Sequence, residues 1–288
     1  MAFTSVTGIL KTASMQGLPL WETILEDDCK DRGVNREASF RQMAALWDAM
    51  KSASSRYSPE AHSASGLVGG DGAKMRAFGE ETSIGGGFLD RIIAEALSMG
   101  ESNACMKRIV AAPTAGSCGV LPAVLIPLAE RGGLQDETIV QSLFVAAGFG
   151  QVIAARASIS GAEGGCQAEI GSASAMAAAA LVSIKNGTPE MSADACAMAL
   201  MNLMGLVCDP VAGLVEIPCV KRNVVGAVNA VSCADMALAG ITSRIPADEV
   251  IDAMRSVGEA MPCSLRETGE GGLAATPTGM AAAGKLKG

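Results

Sequence analysis

Cysteines set beside glycine, proline and acidic residues are the groups in this 288-residue chain best placed to do chemistry. Cys118 closes the run A-P-T-A-G-S-C-G that begins at Ala112, and Cys166 lies in S-G-A-E-G-G-C-Q-A-E from Ser160. Cys208 and Cys219 bracket C-D-P-V-A-G-L-V-E-I-P-C. Loop cysteines flanked by glycine can turn their sulfurs to a shared point, and thiolates bind soft metals and iron–sulfur clusters. No C-x-x-C pair is present, which argues against a zinc ribbon, and the spacing fails the ferredoxin runs. Spacing alone therefore leaves two readings open, a shared metal or cluster site and scattered structural cysteines, and it favours the second. Cys105, Cys196 and Cys233 fall in helical patterns and read as small buried hydrophobes, while Cys29 and Cys263 carry no signal.

The run around Cys118 offers a second kind of chemistry. Backbone N–H groups near Gly116 and Gly119, with the Thr114 and Ser117 hydroxyls, can grip a carboxylate without adding charge. The plain alternative is a Gly/Pro turn between helices. His62 is the single histidine, so no site here uses two imidazoles; its surroundings read as a surface loop.

Helices must position these groups, because no segment alternates at period two for more than a few residues. Residues 18–32 open with Pro19 as a first helix, and Asn35 caps a second with Phe40, Met43, Trp47 and Met50 on one face. Residues 52–87, rich in Ser and Gly, read as a long loop or hinge, and residues 88–99 as a helix stopped by Gly100. The uncharged run 109–129 contains Pro113, Pro122 and Pro127 and reads as a loop inside the protein interior. Further helices are expected over 138–158, 171–185, from Thr188 to about 206, over 223–244 and over 246–260, followed by a polar tail from Arg266. The expected fold is all-α, a compact bundle of Ala/Gly-rich helices whose Cys/Gly/Pro loops converge on one site. It forms one domain over 1–288, with 1–87 the more variable part and 88–278 the core.

Composition narrows the partners. Hydrophobic residues make up 49% and charged residues 18%, so the chain can bury a core. A net charge of −8 gives no general attraction to nucleic acid or anionic lipid, and 3% aromatics supply few stacking platforms for bases. The apolar runs are rich in Ala, Gly and Ser without a flanking Trp or Tyr belt, so buried helices are expected rather than membrane spans. The first residues lack a basic start followed by a long apolar stretch, and nine cysteines show no framework spacing; a cytoplasmic protein is expected.

Four stretches together resemble the alpha chain of iron–sulfur-dependent L-serine dehydratases: the run from Ala112, S-I-S-G-A-E-G-G-C-Q-A-E-I-G-S from Ser158, G-L-V-C-D-P-V-A-G-L-V-E-I-P-C-V-K-R-N from Gly205, and R-E-T-G-E-G-G-L-A from Arg266. The segment S-G-L-V-G-G-D from Ser65 resembles alpha chains of the two-chain form. The resemblance implies a 4Fe–4S cluster held by Cys166, Cys208 and Cys219, with one iron left open to act as a Lewis acid on a substrate hydroxyl. It implies β-elimination from L-serine to pyruvate and ammonia without pyridoxal phosphate. It also implies substrate contacts at Thr114, Ala115, Gly116, Ser117 and Gly119, with Cys118 outside the ligand set.

Glu163 and Asp209 stand close to ligand cysteines and are candidates to orient an ammonium or move protons; capping a helix or pairing with Lys221 and Arg222 is the bland reading. Arg222 and Asn223 are weaker candidates for binding the carboxylate. The family's base is thought to be a histidine of a beta region that this chain lacks. A separate beta chain and an oligomeric assembly are therefore expected, and His62 is not the base. Single-chain relatives end in a cysteine that reaches the cluster, whereas no cysteine follows Cys263 here. Two other readings stay open: a related lyase acting on threonine or cysteine, and a non-enzymatic metal-binding or redox-sensing helical protein.

Overall fold

Alanine and glycine set the helix spacing in this chain. The computed structural model describes residues 3–287. In order the helices are α1 (Val6–Gln16), α2 (Leu20–Arg32), α3 (Arg36–Ser55), α4 (Asp71–Arg76), α5 (Gly87–Ala104), α6 (Val120–Gly132) and α7 (Asp136–Arg156). The short α8 (Gly161–Gly164) precedes α9 (Ser172–Ile184), α10 (Pro189–Leu203), α11 (Cys219–Leu238), α12 (Ala247–Ala260) and α13 (Pro277–Lys287). No strand forms among the described residues, so the fold is all-α as the patterning predicts. One isolated parallel bridge joins Cys208 to Arg266.

At the centre runs α9, packed against α6, α7, α10 and α11. Every residue of α9 except Ser183 is buried. A helix enclosed on all sides needs small side chains so that its neighbours can approach, and six of its thirteen residues are alanine. Its buried polar groups are satisfied across the contact: Ser174 donates to the Gly226 carbonyl at 2.8 Å and accepts from Asn229 at 2.9 Å. The segment Gln167–Ile184 and helix α7 are both long and apolar enough to cross a membrane, yet 89% and 67% of their most apolar windows are buried inside the bundle.

The capping signals hold where side chains supply them. Asn35 accepts from the Ala38 N–H at 2.8 Å, and Thr188 from Met191 at 3.2 Å. Three expectations are corrected. A helix, α1, precedes the expected first one; Ser5 caps it, and Val6, Ile9 and Ala13 are its buried positions. The run expected as an interior loop stays a loop over 109–119, but from Val120 it becomes α6: Pro122 falls in the first turn, where its missing N–H is not needed, and Pro127 is carried inside the helix. The polar tail contains α13. The long loop expected over 52–87 forms between α3 and α5, interrupted by α4, and it is pinned to the core. Buried Glu101 accepts from the N–H groups of Asp71 and Gly72 and from the Tyr57 hydroxyl, at 2.7, 3.2 and 2.6 Å. Ser63 and Ser65 both donate to buried Glu216.

Gly100 also corrects an expectation, since α5 continues through it to Ala104. Its absent side chain lets α5 close on α11: a Cβ there would lie 3.1 Å from the Val220 Cα. In an exposed helix Gly→Ala gains about 1 kcal/mol. Here Gly100→Ala is expected to reverse that sign and cost about 1–3 kcal/mol, because backbone must move. Urea unfolding of the variant checks it; a gain in stability would mean that the two helices part without penalty.

Candidate functional site

Cys166, Cys208 and Cys219 come to the site on three differently built supports. Gly165, at φ 76, breaks the chain after α8 so that Cys166 opens a new helical stretch. That stretch begins with a widened π-turn, Gln167–Gly171, before it becomes α9. The turn is tied to the segment leading to Cys208 through Gln167, whose N–H donates to Leu206 O at 2.9 Å and whose side chain accepts from the Gly205 N–H at 2.8 Å. Cys208 is extended; its N–H donates to Leu265 O and its carbonyl accepts from the Glu267 N–H, both at 2.8 Å. Cys219 is the first residue of α11.

All three cysteines are buried. The sulfurs of Cys166 and Cys208 and a carboxylate oxygen of Glu169 lie within 4.8 Å of one another. Cys219 stands outside that tight group but within electrostatic reach of Cys166 and Glu169. Hydrogen bonding with the Cys208 thiol, helped by the Arg222 guanidinium, holds Cys166 below the ordinary thiol range despite its burial. The same contact with Cys166, followed by burial, pushes the Cys208 thiol up. Burial pushes the Cys219 thiol up to about 12. Of the three thiols, Cys166 is therefore the one that gives up its proton most readily. Arg222 sits 3.5 Å from the Cys166 sulfur, donates to Val207 O at 2.7 Å, and pairs with Asp209 at 2.8 Å.

The loop before α6 lies against this cluster of donors. Thr114 donates to Glu169 at 2.9 Å and shares a 3.0 Å hydroxyl contact with Ser117. Gly116 faces Glu169 so closely that a Cβ would lie 3.1 Å from both carboxylate oxygens. Buried Asn223 clamps the loop. Its Oδ1 accepts from the Gly119 N–H at 2.8 Å, and its Nδ2 donates to Gly116 O at 2.8 Å and to Cys219 O at 3.0 Å. Asn103 donates to Ala115 O at 3.1 Å. The N–H groups of Ala115, Gly116 and Ser117 have no acceptor among the described residues, which leaves three consecutive unengaged donors in a fixed loop. Burial, reinforced by the charge of Glu267, raises the Glu169 carboxyl above its usual range against the Thr114 hydrogen bond.

The other sequence candidates are placed elsewhere or given other work. Glu163 is exposed and accepts from Ser158 at 2.6 Å, so it does not join the cysteines. Asp209 is held by Arg222 and by the Leu273 N–H at 2.8 Å, which makes it a support for the guanidinium. Lys221 pairs with Asp71, not with Asp209. His62 is exposed, with Nδ1 2.9 Å from the Glu60 carbonyl oxygen. Cys118 points to Met99 O at 3.8 Å, and burial pushes its thiol up to about 12. Glu169 is the site residue that the sequence reading missed. The spacing C-x-x-E from Cys166, one helical turn, is the signal that marks it.

A family model described as "Serine dehydratase alpha chain" matches residues 15–274. A protein of Bacillus subtilis named "Probable L-serine dehydratase, alpha chain" is 48% identical over 278 residues, 96% of this chain and 93% of that protein. The "L-serine dehydratase, alpha chain" of Peptoniphilus asaccharolyticus is 42% identical over 273 residues, 94% of each. The "L-serine dehydratase" of Mycobacterium bovis is 47% identical over 184 residues, 62% of this chain but only 40% of that protein. With nine-tenths of the chain inside the matched region, it belongs to the serine dehydratase alpha chain family.

Proposed function

We propose that this chain is the alpha chain of an L-serine ammonia-lyase, converting L-serine to pyruvate and ammonia by β-elimination. The observation that carries the reading is the convergence of Cys166, Cys208 and Glu169 within 4.8 Å, beside a loop with three unengaged N–H donors. A 4Fe–4S cluster on Cys166, Cys208 and Cys219 fits this donor set. The thiols are buried and soft, and Gly161 keeps a side chain off the Cys208 sulfur, since a Cβ there would lie 3.0 Å from it. When bound, such a cluster supplies a Lewis acid that eases departure of the β-hydroxyl.

The chain's own residues do the rest. The N–H groups of Ala115, Gly116 and Ser117 receive the substrate carboxylate, and Asn223 fixes them relative to Cys219. Glu169 stands between that loop and the sulfurs, and Thr114 orients it. Arg222 holds positive charge against Cys166, which favours the thiolate a metal needs. Loss of the α-proton and the hydroxyl yields water and aminoacrylate, which tautomerises and hydrolyses to pyruvate and ammonia. The base comes from a beta chain: the Mycobacterium bovis relative extends well beyond the aligned part, whereas the alpha-chain relatives are nearly co-extensive with this chain. All nine cysteines are free, which suits a reducing, cytoplasmic setting.

A second reading rests on Glu169 lying inside the tight donor group and Cys219 outside it: a single metal ion held by Cys166, Cys208 and Glu169. Metal analysis separates the two. Anaerobically purified protein is expected to hold about four irons and four acid-labile sulfides per chain, with serine-to-pyruvate turnover appearing once the beta chain is added. Stoichiometric zinc without sulfide would support the single-ion site, and a loaded pair inert on serine would point to threonine or cysteine as substrate.

A further inference from the structure

Arg222 ties together the chain segments that carry Cys166, Cys208 and Cys219. It stands one helical turn after Cys219 on α11, so the helix that presents that sulfur also sets the guanidinium. Its Nη1 donates to the Cys166 sulfur at 3.5 Å and, at 2.7 Å, to the carbonyl of Val207, the residue before Cys208. Nη2 pairs at 2.8 Å with Oδ1 of Asp209, the residue after Cys208. Neighbouring Lys221 shares none of this; it is exposed and turns to Asp71. A planar guanidinium presents five donors in a fixed fork and can serve a sulfur, a carbonyl and a carboxylate at once. An ammonium on a flexible stem cannot.

Burial makes the charges count. The Arg222 and Asp209 side chains are 13% and 5% exposed, so water and salt screen them little. Asp209 is itself fixed: its Oδ2 accepts from the Leu273 N–H at 2.8 Å, and Gly272, at φ 57, keeps a side chain off the carboxylate. Cys166 therefore meets a hydrogen-bond donor that carries positive charge, with an opposing charge held on the other arm of the same fork. Hydrogen bonds to a ligand sulfur and the net charge beside it are the means by which a protein sets the potential of an iron–sulfur group. We propose that Arg222 is a positioning residue that draws electron density off the Cys166 sulfur and so makes a metal group held there a better electron acceptor, with Asp209 as its counterweight. For a site that must draw on a substrate hydroxyl, that is the useful direction. The proposal rests on the cluster reading and goes beyond it by naming the side chains that tune the site.

The test uses the complete enzyme, alpha chain loaded anaerobically and paired with its beta chain. It is titrated with dithionite while absorbance and electron paramagnetic resonance are recorded. Arg222→Gln is expected to shift the midpoint potential down, because it removes the positive charge and weakens the donor to sulfur. Asp209→Asn is expected to shift it up, since an amide still accepts from the Leu273 N–H but no longer offsets the guanidinium. Arg222→Lys keeps the charge without the fork and should lie between wild type and Gln. Serine turnover per loaded iron should fall about tenfold in Arg222→Gln. Residues that only brace the loops would lower the iron content of both variants and leave the potential of the loaded fraction alone. Shifts of the same sign, or a potential that either loaded variant leaves unmoved, overturn the proposal. Should Arg222→Gln hold no iron, Asp209→Asn decides by itself: an upward shift supports the couple, and a level or downward one overturns it. Wild-type protein without iron and sulfide overturns the cluster reading instead.

Discussion

If the proposed cluster is held as described, replacing Cys166, Cys208 or Cys219 with alanine, one at a time, should abolish iron binding, while Cys196→Ala and Cys233→Ala should keep it. The contrast follows from where the sulfurs stand. Cys166 and Cys208 share a donor group with Glu169, and Cys219 opens α11 beside them, so each removal leaves two thiols where three are needed. Cys196 is enclosed in α10, and burial pushes its thiol up, which suits a packing residue. Cys233 lies on α11 beside Asn202 and Asn229, and burial pushes its thiol up to about 11. Among the described residues, neither belongs to a group of three donors within 4.8 Å of one another. Iron and sulfide per chain after anaerobic purification read the result, with circular dichroism confirming the fold of each variant. Serine turnover in the paired enzyme should fall to background in the three site variants. Full iron in all three would remove the assignment. Glu169→Gln sharpens it: iron is retained if three thiolates hold the metal and lost if Glu169 is itself a ligand.

Much of this site was legible because its residues are marked by backbone needs as well as by chemistry. Gly165 at φ 76 and Gly116 against Glu169 occupy places where a side chain does not fit, and both flank residues that the motifs singled out. Helix existence followed from caps such as Asn35 and Thr188. Errors arose where tertiary packing overrode a local signal. Gly100 ends helices in isolation but here permits a crossing with Val220, and Pro122 breaks helices except in the first turn, where it stands. The choice between Glu163 and Glu169 was not legible from proximity to Cys166. A π-turn carries Glu169 inward, while Glu163 on α8 turns out to Ser158. Asp209 was legible as a charged neighbour, but its work is decided by Arg222, whose approach depends on the fold of α11.

Asn223→Ala is expected to be the most damaging single change outside the cysteines, and its damage should appear in activity even when iron is present. The side chain is 1% exposed and makes three hydrogen bonds, to the Gly119 N–H, the Gly116 carbonyl and the Cys219 carbonyl. Truncation leaves those three backbone groups without that partner, in a place where water does not readily replace it. The Cys219 carbonyl keeps its intrahelical donor, so two groups are orphaned, the Gly119 N–H and the Gly116 carbonyl; at about 1–3 kcal/mol each, the loss is on the order of 2 kcal/mol or more. Gly119 cannot compensate by growing: a Cβ there would lie 2.9 Å from Ala96 O and from Asn223 Oδ1. The functional cost comes from what the amide connects. One end holds the loop whose N–H groups are proposed to receive the substrate carboxylate, and the other holds the first residue of α11, which is Cys219. Releasing it lets the loop and Cys219 move independently, and misplacement of about 1 Å at a reacting centre can cost on the order of 100-fold in rate. Asn223→Asp separates the two contributions, since it keeps the acceptor for Gly119 but loses both donors and buries a charge. Urea unfolding and kcat/KM on iron-loaded, beta-paired enzyme check this; the expected order of activity is wild type, then Asp, then Ala. Near wild-type kcat/KM in the alanine variant, with iron fully loaded, would show that the loop and Cys219 are positioned independently, and the amide would then be a packing residue alone.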